Sequence, residues 1–129
     1  MAIFGIGAYY ENDVSEEFLK RGCACVGWSE SDAPPAHAIL RHLRSGDIIF
    51  IKSFTPRHGL TVKAVGLVKD GKVRAFGRLG SGIPVRWVWS GEKSLGKLED
   101  KWPVRSVTIY EEYHPAVQNT VMDLLLGES

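Results

Sequence analysis

Residues 43–68 read LRSGDIIFIKSFTPRHGLTVKAVGLV, and the reading of this stretch decides the fold. Gly46-Asp47 marks a turn, and four consecutive apolar residues follow it, Ile48 to Ile51. A short apolar run bounded by turn residues predicts a central strand buried on both faces. That strand exits on Lys52, Ser53 and Phe54. An ammonium, a hydroxyl and a ring at the end of a buried strand suit the floor of a pocket. After the polar turn TPRHG, Leu60, Val62 and Ala64 alternate with Thr61, Lys63 and Val65, which predicts a second strand running to Val68.

Upstream, AIFGIGAYY (2–10) predicts a first strand. NDVSEEFLKRG (12–22) predicts a short helix, with Asn12, Asp13 and Ser15 as candidate caps, acids in its first turn and Gly22 to stop it. CACVGW (23–28) predicts a short strand, and a second helix spans about Ala36 to Arg44. Downstream, Asp70-Gly71 predicts a tight hairpin with KVRAFGRL (72–79) as its return strand. IPVRWVWS (83–90) is another strand, GEKSLGKLEDKW (91–102) a polar loop and VRSVTIYEEY (104–113) a last strand. HPAVQNTVMDLLL (114–126) is a closing amphipathic helix with Val117, Val121, Leu124 and Leu125 on one face. Short strands with hairpin connections and few helices predict an α+β fold: a small β-barrel of five to seven strands with two or three short flanking helices.

The 129 residues fit a single domain over 1–129, and 44% hydrophobic content is enough for one core. No run approaches the roughly 18 apolar residues of a membrane span, and the N-terminus has no basic and apolar leader, so the expected compartment is the cytoplasm. Cys23 and Cys25 are too close in sequence for an easy disulfide and read as small buried hydrophobes on one strand face. The net charge of +1 conceals a division. From Arg41 to Arg105 there are 14 Lys or Arg against 5 Asp or Glu, and elsewhere 2 against 10. A basic middle between acidic flanks suits either a mixed solvated surface or a patch for an anionic polymer.

No nucleophile elbow, phosphate loop or dinucleotide fingerprint is present. GRLGSG leads into a proline-started strand, so no helix N-terminus follows it for a phosphate. His37 and His42 lie five apart on a helix and diverge, and no other Cys or His completes a metal site. No metal, cofactor or catalytic residue is expected. The chain is instead marked by aromatics. Trp28 follows a strand end, and Trp87 and Trp89 alternate on one strand, which predicts that both face the same side, opposite Arg86 and Val88. Each aromatic is a candidate for the core or for a ligand wall.

The order DVSEEFLKRG, GW, LRSGDIIFIKS, LTVKAVGLV and PVRW resembles the N-terminal reader domains of McrB-type modification-dependent restriction systems. Those are similar to EVE domains, within the PUA-like superfamily that also holds YTH and ASCH domains. The resemblance covers Asp13 to Trp87. It implies a PUA-like barrel that binds nucleic acid, DNA ahead of RNA, through a pocket for a flipped and modified base. Carried over by position, Asn12, Asp13, Trp28, Lys52, Ser53 and Phe54 rim that pocket, with Trp87 in pocket or core. Arg57, Lys63, Arg74, Arg78 and Arg86 would hold the nucleic-acid backbone. Such readers precede a nuclease or NTPase, whereas here one helix follows, so a reader of this kind acts alone, as an oligomer or with a separate effector protein. Two rival readings stand beside it: a protein-interaction module on the same fold, and an ASCH-like enzyme centred on Lys52.

Overall fold

The computed structural model describes residues 1–98 and 104–127. Among the described residues, seven strands form one mixed sheet flanked by three α-helices. The strands are β1 (Ile3–Gly7), β2 (Cys23–Val26), β3 (Ile48–Thr55), β4 (Gly59–Val68), β5 (Arg74–Ala75), β6 (Ser81–Gly96) and β7 (Ile109–Glu111). The helices are α1 (Ser15–Arg21), α2 (Pro34–His42) and α3 (Pro115–Leu126). The strand order is β2-β6-β4-β3-β1-β7, with β5 paired to β6. The α+β class and the curled, half-barrel sheet agree with the sequence reading.

β3 is the axis. Ile48, Ile49, Phe50 and Ile51 are wholly buried, between β1 on one side and β4 on the other. Asp47 secures the launch point: its carboxylate accepts from the amides of Ala2 (3.1 Å) and Arg44 (2.9 Å). β1 and β3 run parallel, a pairing that the expected hairpin connections do not contain. The chain reaches β3 from β1 only after α1, β2 and α2, which is the long crossover that a parallel pair requires.

That crossover also curls the sheet. β2 pairs with β6 at the end of the strand order away from β7, and α2 packs against both β2 and β7, spanning the seam between the two end strands. Side chains inside the curl, including Phe4, Ile6, Ile49, Ile51 and Ala64, meet Phe18 of α1 and Leu40 of α2. On the outer face Ile48, Phe50, Val65 and Tyr110 pack with Val117 and Val121 of α3. His114 caps α3, its Nδ1 accepting from the Ala116 amide at 3.1 Å, and Pro115 occupies the first turn.

Several local expectations are corrected. The Asp70-Gly71 turn does not lead into a return strand over 72–79. Asp70 accepts from the Lys72 amide (2.9 Å) and the Arg74 side chain (2.8 Å), the chain loops out, and only Arg74–Ala75 pair, with β6. β6 is the true antiparallel partner of β4. It runs through Gly96, so the first half of the expected polar loop 91–102 is strand; residues 99–102 lie outside the described residues. The expected strand 104–113 shrinks to Ile109–Glu111 behind a 3-10 turn at Val104–Ser106.

Trp87 and Trp89 do not share a face. Gly66 pairs with Trp87 and Val65 with Trp89, so two steps on β6 meet one on β4, and Val88 is the bulged extra residue. Trp87 therefore packs against the inner core and Trp89 against the outer one. Cys23 and Cys25 are buried and unbridged, with their sulfurs 3.7 Å apart. Among the described residues no helix is long and apolar enough to cross a membrane.

Candidate functional site

β1 ends at Gly7, opposite Lys52 of β3, and the polar half of β3 runs on past it to Thr55. The β3–β4 register shifts between Ile51 and Lys52. Such a bulge re-aims the side chains that follow it. Lys52, Ser53, Phe54 and Thr55 all border a cleft of about 540 Å³. Its walls come from the loop after β1, with Tyr9, Tyr10 and Asp13, and from Gly27-Trp28 after β2. Lys63 of β4 and Ser106 and Thr108 complete it.

The β1–α1 loop is built as a wall. The Val14 amide donates to the Ala8 carbonyl at 2.8 Å, and the Tyr10 amide to that of Asn12 at 3.0 Å. Tyr10 turns inward: its hydroxyl donates to the Leu79 carbonyl at 2.6 Å, and its ring meets Phe18 edge-on. Burial pushes the Tyr10 phenol well above its ordinary range, and the neighbouring thiols add to this. Tyr9 and Trp28 stay outside, 74% and 59% exposed. Large rings left this open at the rim of a cleft are available to stack on a ligand. His37, buried on α2, donates from Nε2 to the Trp28 carbonyl at 2.7 Å, which fixes the backbone that carries the indole.

Two lysines enter the cleft in different states. Lys63 pairs with the Asp13 carboxylate. Burial opposes ionisation of Asp13, yet the hydrogen bonds from Lys63 and Ser15, with the charge of Lys63, outweigh it and hold the carboxyl below its ordinary value. Lys52 donates to the main-chain carbonyl of Arg105 at 2.7 Å. Burial pushes its ammonium down to about 8. Arg105 is itself locked, its Nε and Nη2 donating to Glu112 at 3.0 and 2.7 Å in a pair that is almost wholly buried. Glu112 Oε2 also accepts from the His114 amide at 3.1 Å.

Of the residues singled out in the sequence, Asp13, Trp28, Lys52, Ser53, Phe54 and Lys63 meet at this cleft. Asn12 is exposed in the wall loop but does not line the cleft. Trp87 lies in the core, its Nε1 donating to the carbonyls of Phe18 (3.0 Å) and Cys23 (3.2 Å). Arg57 is exposed in the turn just beyond Thr55. Arg74 is engaged with Asp70, and Arg78 with Glu17. Arg86 is exposed on β6 opposite Leu67, several residues along β4 from Lys63. Among the described residues no group of His, Cys, Asp or Glu is arranged to hold a metal.

Tyr9 and Tyr10 were legible only as a strand end, although a tyrosine pair just past a glycine-rich strand is a usable signal. The Arg105–Glu112 pair gives no signal in the sequence, since its members sit on separate elements brought together by the fold. The sequence matches no known protein-family model and no curated protein.

Proposed function

We propose that the chain is a non-catalytic nucleic-acid-binding domain of PUA-like, EVE-like type that holds a flipped, modified base in the cleft. One observation carries this reading: Asp13, Trp28, Lys52, Ser53 and Phe54 come from three separate regions of the chain and converge on one hollow. Its volume, about 540 Å³, falls in the range of small-ligand sites. Open rings at Trp28 and Tyr9 offer stacking faces, and Lys52, Ser53 and Thr108 line the same space with polar groups. Stacking on such rings returns about 1–3 kcal/mol per base, against a few kcal/mol for unstacking.

The exposure of Trp28 and Tyr9 supports a ligand-binding wall over a vestigial pocket. The enzyme reading needs an acid beside Lys52. The carboxylate in the cleft, Asp13, is instead committed to Lys63, and Lys52 to a main-chain carbonyl. With Arg74 and Arg78 engaged elsewhere, Lys52 and Lys63 are the basic side chains that line the cleft, and Arg57 is exposed in the turn beyond Thr55. The test is fluorescence anisotropy with single- and double-stranded DNA and RNA, plain or carrying 5-methylcytosine, 5-hydroxymethylcytosine or N6-methyladenine, at two salt concentrations. Salt-dependent binding that prefers one modification, and is lost in Trp28→Ala, supports the reading. A folded protein that binds none of them sinks it and favours a protein partner.

A further inference from the structure

A second, shallower groove of about 310 Å³ opens beside the cleft, lined by Ser53, Thr61, Lys63, Glu92 and Ser94. It shares Ser53 and Lys63 with the cleft, so the two hollows are continuous. Strand register sets its floor. Ser53 of β3 stands opposite Thr61 of β4, and Thr61 opposite Ser94 of β6. Directly opposed residues share a face, so the three hydroxyls form a row across three strands. Lys63 stands where the row meets the cleft, and Glu92 lies on β6, the last strand that the row reaches.

The charges of this groove restrict its occupant. A path for phosphates needs unspent cations. Here the lysine is already paired with Asp13, and Glu92 adds a negative charge. Hydroxyls that both donate and accept, ending at a carboxylate that only accepts, match an uncharged polar group that carries a donor.

We propose that this groove is a subsite for the nucleotide adjoining the one in the cleft, bound through an uncharged donor, a sugar hydroxyl or a base amine, by the Thr61–Ser94 hydroxyls and the Glu92 carboxylate. The inference rests on the base-pocket reading and adds a neighbour specificity to it. The phosphate between the two nucleotides is left outside the groove, and context is read from the neighbour's neutral edge.

The experiment is an NMR titration of the whole chain with defined probes. Mononucleosides of cytosine, 5-methylcytosine, 5-hydroxymethylcytosine, adenine and N6-methyladenine come first. The tightest of them is then extended on either side with adenosine, 2′-deoxyadenosine or thymidine. The expected result is that one dinucleotide binds about 3- to 10-fold more tightly than its mononucleoside, the gain of one or two hydrogen bonds. Thr61→Val with Ser94→Ala, and separately Glu92→Leu, remove that gain and leave mononucleoside affinity unchanged. A gain with adenosine but not 2′-deoxyadenosine identifies the sugar hydroxyl as the donor, whereas a gain with both adenosines but not thymidine identifies the base amine. If the mononucleoside binds and no neighbour adds affinity, or if the gain survives both variants, the subsite is overturned while the pocket stands. If neither mononucleosides nor dinucleotides bind, the pocket reading falls and takes the subsite with it.

Discussion

Lys52 Nζ is held 2.7 Å from the main-chain oxygen of Arg105, and the Arg105 side chain is clamped by Glu112. The floor of the cleft is thus tied to a buried ion pair that does not itself line it. Exposures of 4% for Arg105 and 2% for Glu112 place this ion pair almost wholly out of water. Glu112 is therefore a positioning residue for the cleft as well as a structural one.

Breaking a salt bridge buried this deeply by removing one of its charges costs about 3–5 kcal/mol. Glu112→Gln should lose stability on that scale in urea unfolding. The double variant Arg105→Met/Glu112→Leu should recover much of it. A Glu112→Gln protein as stable as the parent would show that Arg105 does not depend on the Glu112 charge.

Lys52 links stability to pH with a definite sign. Its ammonium titrates at about 8 in the folded chain, against 10.5 for a free lysine. Between those values the unfolded chain holds a proton that the folded chain has released, so the contribution of Lys52 to stability rises with pH across that window. On the proposed function the ligand needs the cation, so affinity falls across the same window. Lys52→Met should remove both trends. The check is the difference between parent and variant, in unfolding and in binding, at pH 7, 8 and 9.

The legibility of the fold follows from these same elements. β3 was readable because four apolar residues between turn signals allow little else. The floor and one wall of the cleft were readable because Lys52, Ser53, Phe54 and Trp28 are polar or aromatic groups at strand exits. The length of β6 was not readable, since residues 91–96 are mostly polar and are strand only because β4 offers them a partner. The split between Trp87 and Trp89 depends on a bulge that leaves no mark in the pattern. The hairpin at Asp70-Gly71 carried the right residues, but the carboxylate of Asp70 turned to Lys72 and Arg74 instead. Parallel pairing of β1 with β3 is a property of the whole crossover, beyond the reach of local periodicity.

Asp13 serves two partners, and substitution separates them. Its Oδ1 accepts from the Ser15 amide at 2.8 Å, while Oδ2 meets Lys63. The pair is partly exposed and is worth at most about 1 kcal/mol. Asp13→Asn removes the charge and keeps an acceptor, so its cost should stay below that figure; Asp13→Ala also removes the acceptor of the Ser15 amide, a further loss of about 1 kcal/mol. The folded carboxyl titrates below 3.8, so this contribution is present above that pH and fades as the pH falls through the lower folded value. Urea unfolding should separate Asp13→Asn from the parent at pH 7 and bring the two together in strong acid.

Two glycines in the decisive stretch divide a backbone cost from a packing cost. Gly46 has φ +89°, and a Cβ there would meet nothing within 4 Å. Gly59 has φ +81°, and a Cβ there would stand 2.0 Å from the carbonyl oxygen of Gly96 and 2.5 Å from the amide nitrogen of Lys97. Both substitutions to alanine force an L-residue into the left-handed region, at about 1–2 kcal/mol. Gly46→Ala should cost only that. Gly59→Ala must also push β6 away from β4 at the Leu60–Gly96 pair, and backbone cannot yield as a side-chain tip can. An added overpacking cost of about 1–3 kcal/mol follows. Chemical denaturation of the two variants therefore ranks Gly59→Ala clearly below Gly46→Ala, and hydrogen exchange places the extra loss at the amides of residues 60–62 and 93–96. Equal losses at the two sites would mean that the end of β6 is not held against the β3–β4 turn.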